Sequence, residues 1–263
     1  MPYFDNEGIE IYYEIEGEGP PVVMIHGFSL NLEDSWKETR WVDTLKNKFR
    51  LILLDCRGHG KSDKPHGEFH YGQKMADDIS KLMEHLSIEK ANFFGYSMGA
   101  NITLLLLLTK PEIFISAILG GFVITLNDKE ISKNRTNNKL IVEGLRAESV
   151  DQVRKPLARV FRSIAELRDN DLLALADVQA GWQKDWNEIF PSPTQIRGFL
   201  KKINVPLMTV VGSSEILLGD KTLLAQLVPD ACHFQIQGKD HLTVRSDPKF
   251  HMVVKAFLDL VNN

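Results

Sequence analysis

Short, unbroken apolar runs recur along this chain, and the stretches between them carry helical patterning. Val22-Val23-Met24-Ile25 is the first run. Leu51-Ile52-Leu53-Leu54, Ala91-Asn92-Phe93-Phe94, Ile115-Ser116-Ala117-Ile118-Leu119 and Leu207-Met208-Thr209-Val210-Val211 follow, and Cys232-His233-Phe234-Gln235-Ile236 is a more mixed sixth. A strand with one face in water alternates apolar and polar residues; one covered on both faces need not. Between the runs, Tyr71, Met75, Ile79, Leu82 and Leu86 form a stripe at helical spacing, as do Phe250, Val253, Val254, Phe257, Leu258 and Val261 near the end. Buried strands alternating with helices predict an α/β fold, a doubly wound parallel sheet with helices on both faces. Before the first run, the turn Asn6-Glu7-Gly8 and the partial alternation of Ile9 to Ile15 predict a hairpin that ends at Pro20-Pro21.

Residues 122–194 break the rhythm. They hold no strand-like run, and helical patterns cover Asn138–Arg146, Val150–Leu167 and Asp171–Trp186. The chain therefore divides into a core of residues 1–121 and 195–263 and an inserted helical cap of residues 122–194.

With 43% hydrophobic residues in 263, a substantial core is available. A net charge of −4 and the absence of any Lys/Arg-rich run leave no basic field for nucleic acid. The longest aliphatic stretch, Leu104 to Leu108, falls far short of the ~20 residues a membrane span requires. No signal-peptide pattern opens the chain. Cys56 and Cys232 have no metal-binding spacing and read as small core fillers of a cytoplasmic protein. Neither a metal nor a cofactor is called for, and a homodimer is left open.

The strongest local signal is Gly95-Tyr96-Ser97-Met98-Gly99, which closes one strand run and opens the apolar helix pattern at Ile102 to Leu108. A serine on a sharp strand-to-helix turn has a strained backbone and an exposed Oγ, and side chains two residues to either side would collide with neighbouring elements. The bland alternative is a turn that happens to contain glycine. A serine nucleophile needs a base. Of eight histidines, His241, in Gly238-Lys239-Asp240-His241, follows the last strand and so shares the sheet edge from which Ser97 emerges. His26 and His59 also follow strands, whereas His66, His70, His85 and His251 stand in polar or helical surface contexts. The base in turn needs an acid. Glu215, three residues past Gly212, is favoured; Asp220 comes next, with an N-cap role as its ordinary explanation, and Asp240 is too near His241 in sequence to orient well. Two amides should receive the oxyanion: the N–H of Met98 at the helix start, and that of Phe28, which the small Gly27 lets approach.

The set His26-Gly27-Phe28, Asp55-Cys56-Arg57-Gly58-His59-Gly60-Lys61-Ser62, Gly95-Tyr96-Ser97-Met98-Gly99, Gly212-Ser213-Ser214-Glu215 and Gly238-Lys239-Asp240-His241 resembles the α/β-hydrolase fold superfamily across nearly the whole chain, in the family's order of serine, acid, histidine. The resemblance implies a mostly parallel sheet of eight strands with a helical lid inserted after the sixth. It also implies that Asp55 to Ser62 is a structural loop beside the oxyanion hole. Glu215 departs from the Asp more often found at that position.

Gly60-Lys61-Ser62 is not a phosphate loop, because Asp55 stands where that motif needs glycine. Ser97 occupies the position at which dehalogenases and epoxide hydrolases of this fold carry a carboxylate. The leading expectation is an esterase acting on small to medium acyl esters in an apolar pocket, with His26, Phe161, Trp182 and Trp186 as substrate contacts. A lactonase, a carbon–carbon bond hydrolase or a cofactor-free perhydrolase would use the same triad, and a non-catalytic receptor on this scaffold is the rival from another class.

Overall fold

The protein is described by a computed structural model covering residues 2–189 and 192–263; Met1 and residues 190 and 191, the latter inside the expected insertion, lie outside the described residues. Eight strands form one sheet: β1 (Tyr3–Asn6), β2 (Ile9–Glu16), β3 (Pro21–Ile25), β4 (Arg50–Leu54), β5 (Ala91–Tyr96), β6 (Phe114–Gly120), β7 (Leu207–Gly212) and β8 (Cys232–Ile236). Their spatial order is β1-β2-β4-β3-β5-β6-β7-β8. β1 pairs antiparallel with β2 and β2 antiparallel with β4; every later pairing is parallel. The doubly wound sheet read from the apolar runs is therefore present, mostly parallel and eight-stranded as the family resemblance implies.

The helices are α1 (Trp41–Leu45), α2 (Gln73–His85), α3 (Met98–Thr109), α4 (Asp128–Arg146), α5 (Pro156–Leu167), α6 (Leu172–Ile189), α7 (Pro193–Leu200), α8 (Leu223–Leu227) and α9 (Pro248–Val261). Why the strand runs are continuous is visible in the two cores. Val23, Ile25, Ile52 and Phe93 pack toward Met75, Ile79 and Leu104 of α2 and α3. Val22, Met24, Leu51 and Phe94 face Trp41, Phe250 and Val254 of α1 and α9. Successive strand side chains point to opposite faces, so a strand covered on both is apolar nearly throughout; the buried exceptions Asn92, Ser116 and Thr209 each have a hydrogen-bond partner. β8 is an edge strand, mostly exposed along its length, which accounts for its mixed sequence. It also corrects the reading of Cys232 as a core filler: that thiol is exposed, while Cys56 is buried.

Between β6 and β7 run α4 to α7, with a small core of their own around Leu145, Ala165 and Leu175. α4 begins ten residues before the expected pattern, because Asn127 caps it by accepting from the amides of Lys129 and Glu130. The stretch expected as one helix from Val150 is split into a short 3₁₀ turn and α5, which starts on Pro156, a residue suited to the first turn and not to a helix interior. α7, absent from the sequence reading, is started by the Ser192 cap and Pro193 and straddles the expected boundary at 194/195.

Candidate active site

Ser97 stands between the end of β5 and the first residue of α3 with φ 54° and ψ −109°, a region that costs a non-glycine residue ~1–3 kcal/mol. Its surroundings hold it there. The Ser97 amide donates to the Gly120 carbonyl at 2.8 Å, and the Asn101 side chain donates to the Ser97 carbonyl at 3.0 Å. A Cβ on Gly99 would run into the Ile25 and His26 carbonyls, and one on Gly95 into the Gly99 carbonyl and the Thr103 hydroxyl. Both flanking glycines are thus required by backbone that cannot move aside.

The loop after β8 brings His241 to this turn. Its Nε2 lies 2.9 Å from Ser97 Oγ and its Nδ1 2.9 Å from Glu215 Oε2. The Glu215 side chain has no exposed surface, and its Oε1 accepts from the amides of Ile216 at 2.8 Å and Leu217 at 3.0 Å. An ionised carboxylate only accepts, so Nδ1 carries the ring proton and Nε2 is left to accept from the serine hydroxyl. The structure does not bring Asp220 or Asp240 into this relay. Asp220 Oδ1 accepts from the Thr222 and Leu223 amides at the start of α8, and Asp240 Oδ1 from those of Leu242 and Thr243. Both are local turn and cap acceptors.

Tyr96 ties the two halves of the relay together, a role the sequence reading missed. Its side chain is buried, and its hydroxyl donates to the carbonyl of His241. Burial pushes that hydroxyl's pKa upward, so it stays a donor. Nothing in the local sequence marks the tyrosine, since the contact joins positions far apart in the chain.

On the opposite side, a Cβ on Gly27 would sit 3.5 Å from Ser97 Cβ, so the loop His26 to Phe28 passes directly beside Ser97. Met98, as the first residue of α3, has no carbonyl of its own helix to receive its amide. His26 does not reach the space above Ser97. It is fully buried, its Nε2 accepts from the Cys56 amide at 2.9 Å, and its Nδ1 meets the Gly27 carbonyl at 2.8 Å. Burial lowers its pKa and keeps it neutral, so it stitches the loop after β3 to the loop after β4. His59 packs edge-on against both His26 and Phe28. Asp55 accepts from the Leu32 and Lys61 amides at 2.7 Å each, and the Ser62 hydroxyl donates to the Asp55 carbonyl, which makes this segment a bracing loop.

A cavity of about 290 Å³ opens over Ser97, with Phe28 and Met98 beside it and Phe161, Trp182 and Trp186 in its walls. The Phe28 and Phe161 rings are 5.8 Å apart, which links the loop after β3 to α5. The expected apolar character holds for only part of this lining. Asn101, Asn134, Asn137, Asn138, Gln179, Gln183 and Asn187 also face the cavity, with Arg135. Among the described residues no cluster of three or more His, Cys, Asp or Glu could hold a metal ion, and no helix is long and apolar enough to cross a membrane.

Comparison with known proteins identifies the family and the fold. The sequence model of a family described as "alpha/beta hydrolase fold" matches residues 20–243. A protein of Synechocystis sp. named "Putative non-heme chloroperoxidase" is 28% identical over 247 residues, 86% of this chain and 87% of that one. The enol-lactonase from Burkholderia xenovorans LB400 superposes with a TM-score of 0.73 at 23% identity, covering 98% of this chain and 100% of the other. A thermophilic esterase from Thermogutta terrifontis gives 0.74 at 20% identity, covering 100% and 98%.

Proposed function

This chain belongs to the α/β-hydrolase fold family, and on that premise we propose that it is a serine hydrolase cleaving carboxylic esters of small to medium acyl chain through an acyl-enzyme intermediate. The observation that carries the reading is the unbroken relay from Glu215 through His241 to Ser97, with both contacts at 2.9 Å. Ser97 Oγ attacks the carbonyl carbon as His241 Nε2 takes its proton, and Glu215 holds the imidazole and stabilises its charged form. The amides of Phe28 and Met98 receive the oxyanion. His241 then returns the proton to the departing alcohol. Water, activated by the same imidazole, attacks the acyl-enzyme, and the acid leaves as Ser97 regains its proton. Residues 122–194 act as a cap that closes the cavity over the core of residues 1–121 and 195–263.

A second reading is a lactonase. The same relay opens a cyclic ester without releasing a separate alcohol, and the polar part of the cavity suits the more polar ring. A cofactor-free perhydrolase would share the acyl-enzyme. One experiment orders these. A fluorophosphonate probe should label the wild type and not Ser97→Ala. A p-nitrophenyl ester series from acetate to palmitate, run beside a lactone panel, then ranks the substrates. No labelling of Ser97, together with no turnover of any ester or lactone, would return the chain to the rank of a binding protein.

A further inference from the structure

α6 faces the cavity along two adjoining stripes, each at four-residue spacing. Val178, Trp182 and Trp186 form the apolar one, and Gln179, Gln183 and Asn187 the other. Residues four apart lie on one side of a helix, so the two stripes run in parallel, one residue out of phase. α4 answers with Asn134 and Asn138, and the stripes meet: Asn138 Nδ2 donates to Gln183 Oε1 at 2.5 Å, and Arg135 Nη2 to Asn187 Oδ1 at 3.0 Å.

An amide stripe on a helix is ordinarily a solvated face, on which amide and charged residues are interchangeable. Here they are sorted. Lys133, Lys139 and Glu143 of α4 and Lys184 and Glu188 of α6 are exposed, while Asn134, Asn137, Asn138, Gln179, Gln183 and Asn187 are half-buried against the cavity. No carboxylate faces the cavity, and Arg135 is its sole charged side chain among the described residues. A half-buried wall of this kind suits a ligand that donates and accepts without carrying charge. Each carboxamide offers both functions at one end, and the cross-helix bonds leave Gln183 Nε2 and Asn138 Oδ1 open to it. The apolar stripe beside them suits an alkyl segment.

We infer that the substrate's acyl part is an alkyl segment followed by an uncharged group that both donates and accepts hydrogen bonds, such as a secondary amide, which lies along Gln179 and Gln183. This rests on Ser97 being the nucleophile, and the two claims fail differently. The test compares kcat/KM for p-nitrophenyl hexanoate, p-nitrophenyl 6-acetamidohexanoate and mono-p-nitrophenyl adipate. The acetamido ester should exceed hexanoate by roughly five- to tenfold, the worth of about one net hydrogen bond. In Gln179→Leu/Gln183→Leu that ratio should fall to near one. In Lys184→Leu, on the outer face of the same helix, it should hold. Circular dichroism and the unfolding midpoint certify that the variants are folded. Equal rates for the acetamido ester and hexanoate in the wild type overturn the inference and leave the hydrolase reading standing. So does a preference for the adipate, which would transfer the binding role to Arg135. If no ester is turned over, the hydrolase reading fails and takes this inference with it.

Discussion

At Gly95 and Gly99 one added methyl group meets backbone carbonyls, whereas the cavity-facing side chains of α4 and α6 end in half-buried space beside other side chains. The Ser97 turn is over-determined. Strand, helix and the neighbouring loop after β3 meet at van der Waals distance, and a strained φ persists because nothing around it can relax. The helices opposite are held by a small core and a few cross-helix bonds, so their inner faces can vary without unfolding the sheet. On the proposed function this contrast separates two tasks: the bond-breaking groups would sit on the rigid rim, and substrate recognition on the helices.

The largest effects belong to the rim. Ser97→Ala and His241→Ala should each lower kcat by roughly 10⁵–10⁶-fold while leaving the unfolding midpoint nearly unchanged. Steady-state ester hydrolysis measures this, and a residual rate within tenfold of wild type for either would dissolve the relay. Next comes the acid. Glu215→Gln keeps the shape but stabilises the wrong ring tautomer, with an expected loss of about 10²–10⁴ in kcat. Asp220→Asn should leave kcat within a few-fold. Were Asp220→Asn the inactive variant and Glu215→Gln near normal, the hydrogen bonds drawn around His241 would be wrong.

Two further tests probe how firmly the rim is held. His26 and His59 are fully buried, and burial pushes both pKa values below the ordinary 6.5. The unfolded chain then binds more protons than the folded one once pH drops below 6.5. Stability is complete above that value and declines toward the folded-state pKa values, by up to roughly 1.4 kcal/mol per pH unit for each histidine. Urea unfolding from pH 7 to 5 should show the decline, and His59→Asn should shrink it; a flat profile would mean that neither ring is held neutral. Tyr96→Phe removes the donor to the His241 carbonyl. We expect about a tenfold fall in kcat with KM little changed, since the base is displaced and the cavity is not. A KM effect alone would make Tyr96 a packing residue.

How much of this could be read in advance follows the same division. Gly95, Ser97, Gly99 and Gly212 lie at or beside strand ends, where short-range sterics dictate residue type; His241 falls in the loop after β8; and the apolar runs of β3 to β7 announce burial on both faces. Glu215 was readable for the same reason, by its distance from the glycine that closes β7. α4 to α7 were harder. An amphipathic pattern gives a helix but not its partner, so the two stripes of α6 could not be assigned to a cavity, and the pocket was expected to be apolar. The Asn127 and Ser192 caps and the break at Pro156 are single-residue signals that outweigh periodicity at helix ends. His26 misled because it follows a strand as His241 does. The difference is that its ring turns inward to the Cys56 amide, which no local pattern reveals.

The smallest expected effect lies on the helical side, and the contrast between the two regions depends on it most. Trp182 faces the cavity from the apolar stripe of α6, its ring 6.0 Å from that of Trp186. It makes no bond to Ser97, His241 or Glu215. Trp182→Leu removes aromatic surface from the wall while keeping it apolar, so uniform binding should weaken without touching the attack geometry. KM for a hexanoate ester should rise about three- to tenfold with kcat within twofold, the signature of lost ground-state contact. Full kinetic curves, not single-concentration rates, are needed to separate the two constants. A kcat loss of a hundredfold in a variant that remains folded would mean that α6 helps set the angle at which the ester meets Ser97. The rim would then owe part of its geometry to the helices, and the division of labour would have to be redrawn.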